Sequence, residues 1–463
     1  MSVALATSLP SASTLAAAAV TAAVAIAALV LVMRRFEQAL PLLAIFALPF
    51  RLPISADGRT VNLLIPLYLV VAAGTLDYLL ARLSGRVQHA TRERNADELE
   101  PRKLAFWGSP RGLEWLLGAA VALYALQALY SSDHTRAAEN VAVFYIPFGL
   151  LFLLLRSVRW TRELLLRCLA IAVGLAVVFA GVGFVEYARK SLFLNPKVVA
   201  ANEYDNYFRV NSLFFDPSIY GRFLALVMIA VTTVVLWSSH RRQTLAGAAV
   251  LLWLLGGLIT SFSQSSIAAL LLGLALLAAW RWDARITAYC AALLLALAAA
   301  IVLLAPTSLH FGLKGSGGST SNATSGRTTL ISGGLELFAK RPLQGYGSGS
   351  FEVQYKHHSK ASSENATSAS HTIPITVAAE QGIVGLAVYV ALLLSAFAVM
   401  FRGAGRSPPR IALAAAFAAL VLHTWTYADF LEDPFTWAML AVGVALARVA
   451  SADAQPVAQA SSF

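Results

Sequence analysis

The side chains best suited to chemistry lie in two polar stretches between apolar runs. His371 stands where a long polar stretch meets an apolar run that continues past Glu380. A histidine side chain exchanges a proton near neutral pH, so it can act here as a general base; a hydrogen-bonded histidine at the membrane interface is the alternative. Arg209 and Arg327 lie in the polar stretches, and a guanidinium group binds two phosphate oxygens at once. A lipid-headgroup or salt-bridge role is the alternative for each arginine.

Four further residues are candidates for substrate binding. Arg222 and Arg341 lie near helix ends, where a side chain that extends to the membrane surface is the alternative explanation. Asp216 precedes a proline, and an ordinary turn is the simpler explanation for it. Glu380 lies in the span that follows His371. An isolated carboxylate is costly there, so we expect a partner or a water-filled crevice.

The composition identifies the class of protein that positions these groups. Hydrophobic residues make up 58% of the 463 residues and charged residues only 13%, a balance that water-soluble domains rarely show. Apolar runs of about twenty residues recur, and each is long enough to cross a hydrocarbon layer roughly 30 Å thick. The expected fold is all-α: a polytopic transmembrane bundle of about 12–13 spans, with one large extracytoplasmic loop that contains short helices.

The basic residues indicate orientation rather than nucleic-acid binding. The formal net charge is +11, but the lysines and arginines fall in short segments between apolar runs, as the positive-inside rule requires. Thr14 to Met33 is expected to be a retained first span, with Arg34-Arg35 at its cytoplasmic end. Cys168 and Cys290 have no paired spacing, so no disulfide and no metal site are expected.

The predicted division of the chain has four parts. Residues 1–305 form transmembrane helices with short loops, 306–371 form the large loop, 372–450 form the C-terminal transmembrane helices, and 451–463 form a disordered tail. The alternation of spans places the polar segment Lys190 to Tyr220 on the same outer face as the large loop. We therefore expect Arg209, Arg327 and His371 to meet above the bundle.

Within the large loop, the apolar spacing of Thr328 to Lys340 predicts a short amphipathic helix that Arg341-Pro342 ends. The glycines from Gly345 to Gly349 predict a flexible turn. His357-His358 are expected in a mobile part of the loop, solvated rather than bound to a metal.

Three segments resemble the bacterial O-antigen ligase and polymerase superfamily. The hallmark segment of that superfamily is similar to Arg341-Pro342-Leu343-Gln344-Gly345-Tyr346-Gly347-Ser348-Gly349-Ser350-Phe351, followed by His371-Thr372 and Glu380-Gln381-Gly382-Ile383-Val384-Gly385. Its arginine-bearing outer segment is similar to Arg209-Val210-Asn211-Ser212 with Asp216-Pro217. Two positions depart from the family pattern: Thr372 follows the histidine, and Ser263-Gln264 stands where a Ser-Arg pair is common.

The resemblance implies transfer of a glycan from an undecaprenyl diphosphate carrier to a hydroxyl group of a glycolipid or glycan. The reaction would take place at the outer face of the bacterial inner membrane, among membrane lipids and without nucleic acid. His371 would take the proton of the acceptor, Arg209 and Arg327 would stabilise the diphosphate, and no metal or other cofactor is expected. A polymerase that joins lipid-linked repeat units is the alternative. A transporter or flippase is disfavoured because the distinctive charges lie at one face rather than along a central path.

Overall fold

The computed structural model describes residues 12–56, 59–84, 108–193, 208–289, 292, 327–359, 372–427 and 429–452. Helices account for nearly all the regular structure in these ranges, as the sequence predicts. The helices are α1 (Ala12–Arg35), α2 (Ala39–Ala47), α3 (Ile65–Leu83), α4 (Pro110–Gln127), α5 (His134–Asn140), α6 (Ile146–Arg156), α7 (Arg162–Arg189), α8 (Pro217–Trp237), α9 (Arg241–Thr260), α10 (Gln264–Arg281), α11 (Arg327–Lys340), α12 (Phe351–Ser359), α13 (Ile373–Phe401), α14 (Pro408–Thr426) and α15 (Pro434–Ala452).

Short irregular elements interrupt this pattern. A 3-10 turn (Ala128–Tyr130) follows α4, a π-helical turn (Val141–Tyr145) joins α5 to α6, and a second 3-10 turn (Ala404–Arg406) precedes α14. Two strands, β1 (Leu52–Ala56) and β2 (Arg59–Leu63), form an antiparallel pair with Ile54 opposite Val61. This hairpin was not predicted, and it lies almost entirely between the predicted spans Ala39 to Phe50 and Asn62 to Leu83.

Ten helical segments in the described ranges are long and apolar enough to cross a membrane. The sequence predicts a short, proline-bearing second span over Ala39 to Phe50. This prediction is wrong, because α2 has nine residues and a length of about 13 Å, less than half of a hydrocarbon layer. The apolar part of α15, Pro434–Val449, is shorter than the other ten. The sequence also predicts a span from Ile286 to Ala305, which lies mostly outside the described residues.

Side-chain caps and prolines set several helix starts. The Ser109 side chain accepts a hydrogen bond from the Gly112 N–H (3.0 Å), and Pro110 occupies the first turn of α4. The Thr161 hydroxyl caps α7 in the same way, through the Leu164 N–H (3.2 Å). These residues satisfy backbone donors that have no partner within their helix.

Contacts between Cα atoms group the chain into two compact units. The first unit comprises Met1–Leu104, Pro147–Val227 and Leu252–Ser263. Its aromatic core forms around Phe179, whose ring lies 5.3 Å from Phe214 and 5.8 Å from both Phe50 and Phe223. Edge and tilted ring contacts of this kind add to the packing energy of the buried area.

The second unit comprises Ala105–Ile146, Met228–Leu251 and Gln264–Phe463. The alanine-rich middle of α14 is buried from Ala414 to Val421, which lets neighbouring helices approach closely. The Ser265 hydroxyl on α10 lies 3.2 Å from Nε2 of His423 on α14. His423 is fully buried within this unit.

Polar contacts in the second unit fall at opposite ends of its helices. At the basic end, Arg448 of α15 pairs with Glu114 of α4 (2.7 Å). At the other end of α4, the Gln127 side chain donates to the Gln381 carbonyl (3.3 Å). The start of α4 therefore meets the end of α15, as spans that alternate in direction require.

Candidate functional site

The central feature of the second unit is a break in α13 at Gly382. Its backbone has φ 65° and ψ −163°, far from helical values, while the residues on either side remain helical. Glycine tolerates this region of backbone space and other residues almost never do. The break removes the regular hydrogen bonds of the helix at this place and leaves backbone groups that need other partners.

The segment after α11 supplies those partners. The Ile383 N–H donates to the Pro342 carbonyl (2.7 Å), and the Tyr346 and Gly347 N–H groups donate to the carbonyls of Ala379 (3.3 Å) and Glu380 (2.8 Å). Three hydrogen bonds thus join the loop to the helix on both sides of the break. The turn from Gly345 to Gly349 is therefore packed against α13, and the prediction of a flexible turn is wrong.

The alternating glycines of the turn are required by these contacts. Gly345, Gly347 and Gly349 have φ values of 65°, 91° and 72°. A Cβ atom at Gly345 would overlap the Glu380 carbonyl, and one at Gly347 would overlap the backbone of Ser131. Any side chain would therefore strain the backbone and also push the turn away from α13.

Glu380 completes the attachment with its side chain. The Gly349 N–H donates to Oε2 (2.9 Å) and the Phe351 N–H donates to Oε1 (3.0 Å), while the residue is 5% exposed. Phe351 is the first residue of α12, so the carboxylate also lies at the positive end of that helix. The sequence predicts a partner or a water-filled crevice for this acid, and the structure shows that the partner is the backbone of residues 349 and 351.

The end of α4 forms a second wall around the turn. The Tyr130 hydroxyl donates to the Gln344 carbonyl (2.7 Å), and the Ser131 hydroxyl donates to the Ser348 carbonyl (2.7 Å). The Ser348 hydroxyl in turn donates to the Tyr124 carbonyl (2.8 Å). The polar groups of the turn are thus paired with protein atoms on two sides.

Helices α11 and α12 fold onto the first turns of α13. The predicted amphipathic helix is present as α11, and it contributes to a small hydrophobic cluster made of Leu330, Leu337, Tyr346, Phe351, Tyr355 and Ala379. The predicted location of His357-His358 in a mobile loop is wrong, because both lie in α12 and the His358 ring contacts Tyr346 at 5.6 Å.

A cavity lies beside the first half of α13. Its wall includes Ile373, Thr376 and Glu380 of α13, with Tyr124 of α4 and Glu432 from the segment before α15. The volume is about 70 Å³, enough for a few water molecules and too small for a sugar ring. The Asn140 side chain donates to both the Tyr124 hydroxyl (2.8 Å) and Glu432 (3.0 Å). This network holds the cavity wall together.

Two predicted site residues, Arg327 and Arg341, stand at the two ends of α11 in the second unit. A third, His371, lies outside the described residues; Ile373, two positions later, begins α13 and lines the cavity. Arg327 is the first residue of α11, and its side chain also lies outside the description. Arg341 is exposed, and its guanidinium carbon lies 4.6 Å from the centre of the Tyr346 ring. A cation that stacks on an aromatic ring is held in place while its donors stay accessible.

The remaining predicted site residues, Arg209, Asp216 and Arg222, lie in the first unit. Nε of Arg209 donates to the Ser261 carbonyl (3.3 Å), and the neighbouring Val210 N–H donates to the Thr260 carbonyl (3.2 Å). Asp216 accepts from the Ser218 N–H (2.6 Å) at the start of α8, which is the turn role considered for it. Arg222 lies in α8 and is 2% exposed.

Sequence reasoning missed Glu186, which is fully buried near the end of α7. Its carboxylate accepts from the N–H groups of Phe193 (3.0 Å) and Ser212 (2.7 Å). The sequence carried a signal for it, since an acidic residue inside an apolar span needs an explanation. Asn140 and Glu432 had no such signal, because in the sequence both stand in short polar stretches between apolar runs.

A stretch that lies mostly in the second unit matches a family of known proteins. Residues 249–390 match the family model described as O-antigen ligase. This stretch of the chain is similar to the O-antigen ligase family. The matched stretch includes the glycine turn, Glu380 and the helix break, so the resemblance noted in the sequence is confirmed. None of the curated proteins matches the chain.

The helices and the matched stretch together give the class of this protein. It is a multi-pass membrane protein in which residues 249–390 are similar to the O-antigen ligase family. The O-antigen ligase segment contains two of the three residues predicted to be catalytic, His371 and Arg327. Among the described residues, no group of three or more His, Cys, Asp or Glu side chains has the spacing of a metal site.

Proposed function

We propose that this protein transfers a glycan from an undecaprenyl diphosphate carrier to a hydroxyl group of a glycolipid or another glycan. We place the reaction at the outer face of the bacterial inner membrane. The observation that carries the proposal is the O-antigen ligase match over 249–390, a stretch in which residues 342–347 are hydrogen-bonded to α13. An ordered loop at the start of a span is suited to hold a lipid-linked substrate at the membrane surface.

The reaction is a displacement at the anomeric carbon of the donor sugar. The acceptor oxygen forms the new glycosidic bond, the bond to the diphosphate breaks, and His371 takes the proton of the acceptor hydroxyl. Arg209 and Arg327 stabilise the negative charge that develops on the leaving diphosphate. Attack from the side opposite the leaving group inverts the anomeric configuration. No metal ion is needed, because the two guanidinium groups supply the positive charge.

The remaining predicted residues take different parts in binding. Arg341 is exposed beside Tyr346, which suits direct contact with an anionic substrate group. Both oxygens of Glu380 already accept backbone hydrogen bonds, so its part is to hold the loop. Asp216 accepts a hydrogen bond at the start of α8, and Arg222 of the same helix is buried. We assign both to shaping the segment that carries Arg209.

The deciding experiment incubates the purified protein with defined undecaprenyl diphosphate glycans and candidate acceptors, followed by mass analysis. We expect one added glycan block and release of undecaprenyl diphosphate. A ladder of repeat units would identify a polymerase instead. Activity that is lost with a chelator and restored by divalent ions would overturn metal independence. Absence of transfer with every donor and acceptor pair would contradict the proposed function.

A further inference from the structure

The segment that carries Arg209 is held by a buried acid that the proposed reaction does not use. Glu186 is 0% exposed and lies one turn before the end of α7. A carboxylate without solvent costs several kcal/mol unless it is paired, so its partners indicate what it does. Among the described residues, no lysine or arginine forms an ion pair with it. The nearby Lys190 instead lies over the Tyr187 ring, at 3.5 Å.

Backbone N–H groups from two places bind this carboxylate. Oε1 accepts from the Phe193 N–H (3.0 Å), just after the helix, and Oε2 accepts from the Ser212 N–H (2.7 Å). The Asn211 N–H is a third donor. A carboxylate that accepts several amide hydrogen bonds is well satisfied without a cation. It also fixes the backbone that donates to it.

The fixed backbone lies two to three residues after Arg209. Ser212 has φ 51°, an uncommon value for a residue other than glycine, and its hydroxyl donates to the Phe179 carbonyl of α7 (2.8 Å). On the other side, Val210 donates to Thr260, the last residue of α9, and Arg209 donates to the next residue, Ser261. Every residue from Arg209 to Ser212 is therefore hydrogen-bonded to α7 or to the C-terminal end of α9. These bonds fix the backbone position from which the Arg209 side chain extends.

We propose that Glu186 is a positioning residue for Arg209, acting as a carboxylate clamp on the backbone of Asn211 and Ser212. This inference rests on the proposed function, in which Arg209 binds the diphosphate of the donor. The same device occurs within the second unit, where Glu380 binds the Gly349 and Phe351 N–H groups. In each unit, a buried glutamate orders a loop that carries predicted functional groups.

The variant Glu186→Gln tests the clamp, because its amide places an NH₂ donor against backbone N–H donors. The control is Glu163→Gln on the same helix, an exposed acid whose partner is Arg167. Mobility is measured by electron paramagnetic resonance with a spin label at Leu213→Cys, in a protein whose Cys168 and Cys290 are replaced by alanine. Leu213 is 36% exposed, so a label fits there. We expect higher mobility in Glu186→Gln and no change in Glu163→Gln.

Kinetics separate positioning from a general loss of structure. In Glu186→Gln we expect kcat/KM for the donor to fall about 10- to 100-fold, with a higher KM for the donor and an unchanged KM for the acceptor. Partial unfolding would lower kcat and leave both KM values unchanged. Unchanged label mobility overturns the clamp. Higher mobility with an unchanged donor KM overturns the positioning of Arg209.

Hydrogen exchange on the unaltered protein covers the case in which Glu186→Gln does not fold. Peptides that contain Asn211 and Ser212 should exchange slowly, because their N–H groups are buried and bound to the carboxylate. Exchange as fast as in an exposed loop overturns the clamp. Both measurements of the clamp are made without substrate, so they keep their meaning even if the protein shows no glycan transfer.

Discussion

At the scale of single residues, the proposed chemistry depends on one imidazole and two guanidinium groups. The Arg209 side chain is half-buried, and one of its nitrogens donates to the Ser261 carbonyl (3.3 Å). A guanidinium group carries five N–H donors in a planar fork, a geometry that suits phosphate oxygens. Arg341 is held differently, because its guanidinium group stacks on an aromatic ring, that of Tyr346.

Replacing His371 by alanine removes the proposed base. We expect transfer to fall at least about 100-fold while the protein remains folded, because proton removal from the acceptor hydroxyl is lost. The measurement is product formation from a defined donor and acceptor. The matched control is His357→Ala, an exposed histidine of α12, for which we expect the activity of the unaltered protein. Full activity of His371→Ala would remove the base assignment.

Replacing Arg209 by lysine keeps the charge and loses the two-pronged geometry. We expect kcat/KM for the donor to fall about 10- to 100-fold, since one ammonium group cannot bind two phosphate oxygens in the same arrangement. Arg285→Lys, at an exposed arginine between α10 and the following segment, serves as the control and should leave the kinetics unchanged. Equal kinetics for both variants would make Arg209 a bystander.

At the scale of elements, the break in α13 and the glycine turn form one structure. The break at Gly382 exposes backbone groups, and residues 342–347 pair with them. Neither part is stable alone: an interrupted helix leaves unpaired carbonyls, and a turn of three glycines with positive φ has a high conformational entropy when free. Their pairing explains why residues 342–347 have a fixed position on α13.

The variant Gly382→Ala tests this pairing. Alanine at φ 65° and ψ −163° is strained by about 1–3 kcal/mol, and its Cβ would overlap the Leu343 carbonyl. We expect a lower melting temperature in detergent and a loss of transfer activity. The control is Gly118→Ala in α4, where an added Cβ meets no atom within 4 Å. Alanine there should leave activity unchanged and stability equal or slightly higher.

At the scale of the whole molecule, the spans and the charges define an orientation. Arginines that follow apolar runs, such as Arg402 after α13 and Arg448 in α15, are expected on the cytoplasmic side. In the second unit these arginines lie near the start of α4, as the Arg448–Glu114 pair shows. The glycine turn lies at the opposite end of the same helix, beside Tyr130.

Labelling of single cysteines tests this orientation in intact cells. The two natural cysteines are replaced by alanine, and a membrane-impermeant maleimide is added to Leu343→Cys or Gly405→Cys. Leu343 is 67% exposed beside the turn, and Gly405 is exposed between α13 and α14. We expect Leu343→Cys to react in intact cells and Gly405→Cys to react only after lysis. The reverse pattern would contradict an active site at the outer face.

The amino-acid sequence by itself determined the class of the fold and the types of residue that we propose for the chemistry. Long apolar runs can bury their backbone groups in a membrane only as helices, so the helical segments follow from local composition. The same local reasoning failed at α2, which is apolar but too short to span, and at the β1–β2 hairpin. The prediction of the amphipathic helix α11 is confirmed, because the spacing of apolar residues that indicates such a helix is a property of neighbouring residues.

The tertiary structure alone decided what the polar segments bind. The glycines of the turn could serve a flexible loop equally well, and only the backbone of Ala379 and Glu380 explains their spacing. Glu186 and Glu380 could likewise have faced a cation or a water-filled path, and the structure pairs both with loop amides. These bonds join residues about thirty positions apart, and backbone N–H groups are nearly identical in every residue. Local sequence therefore contains no pattern from which such partners can be predicted.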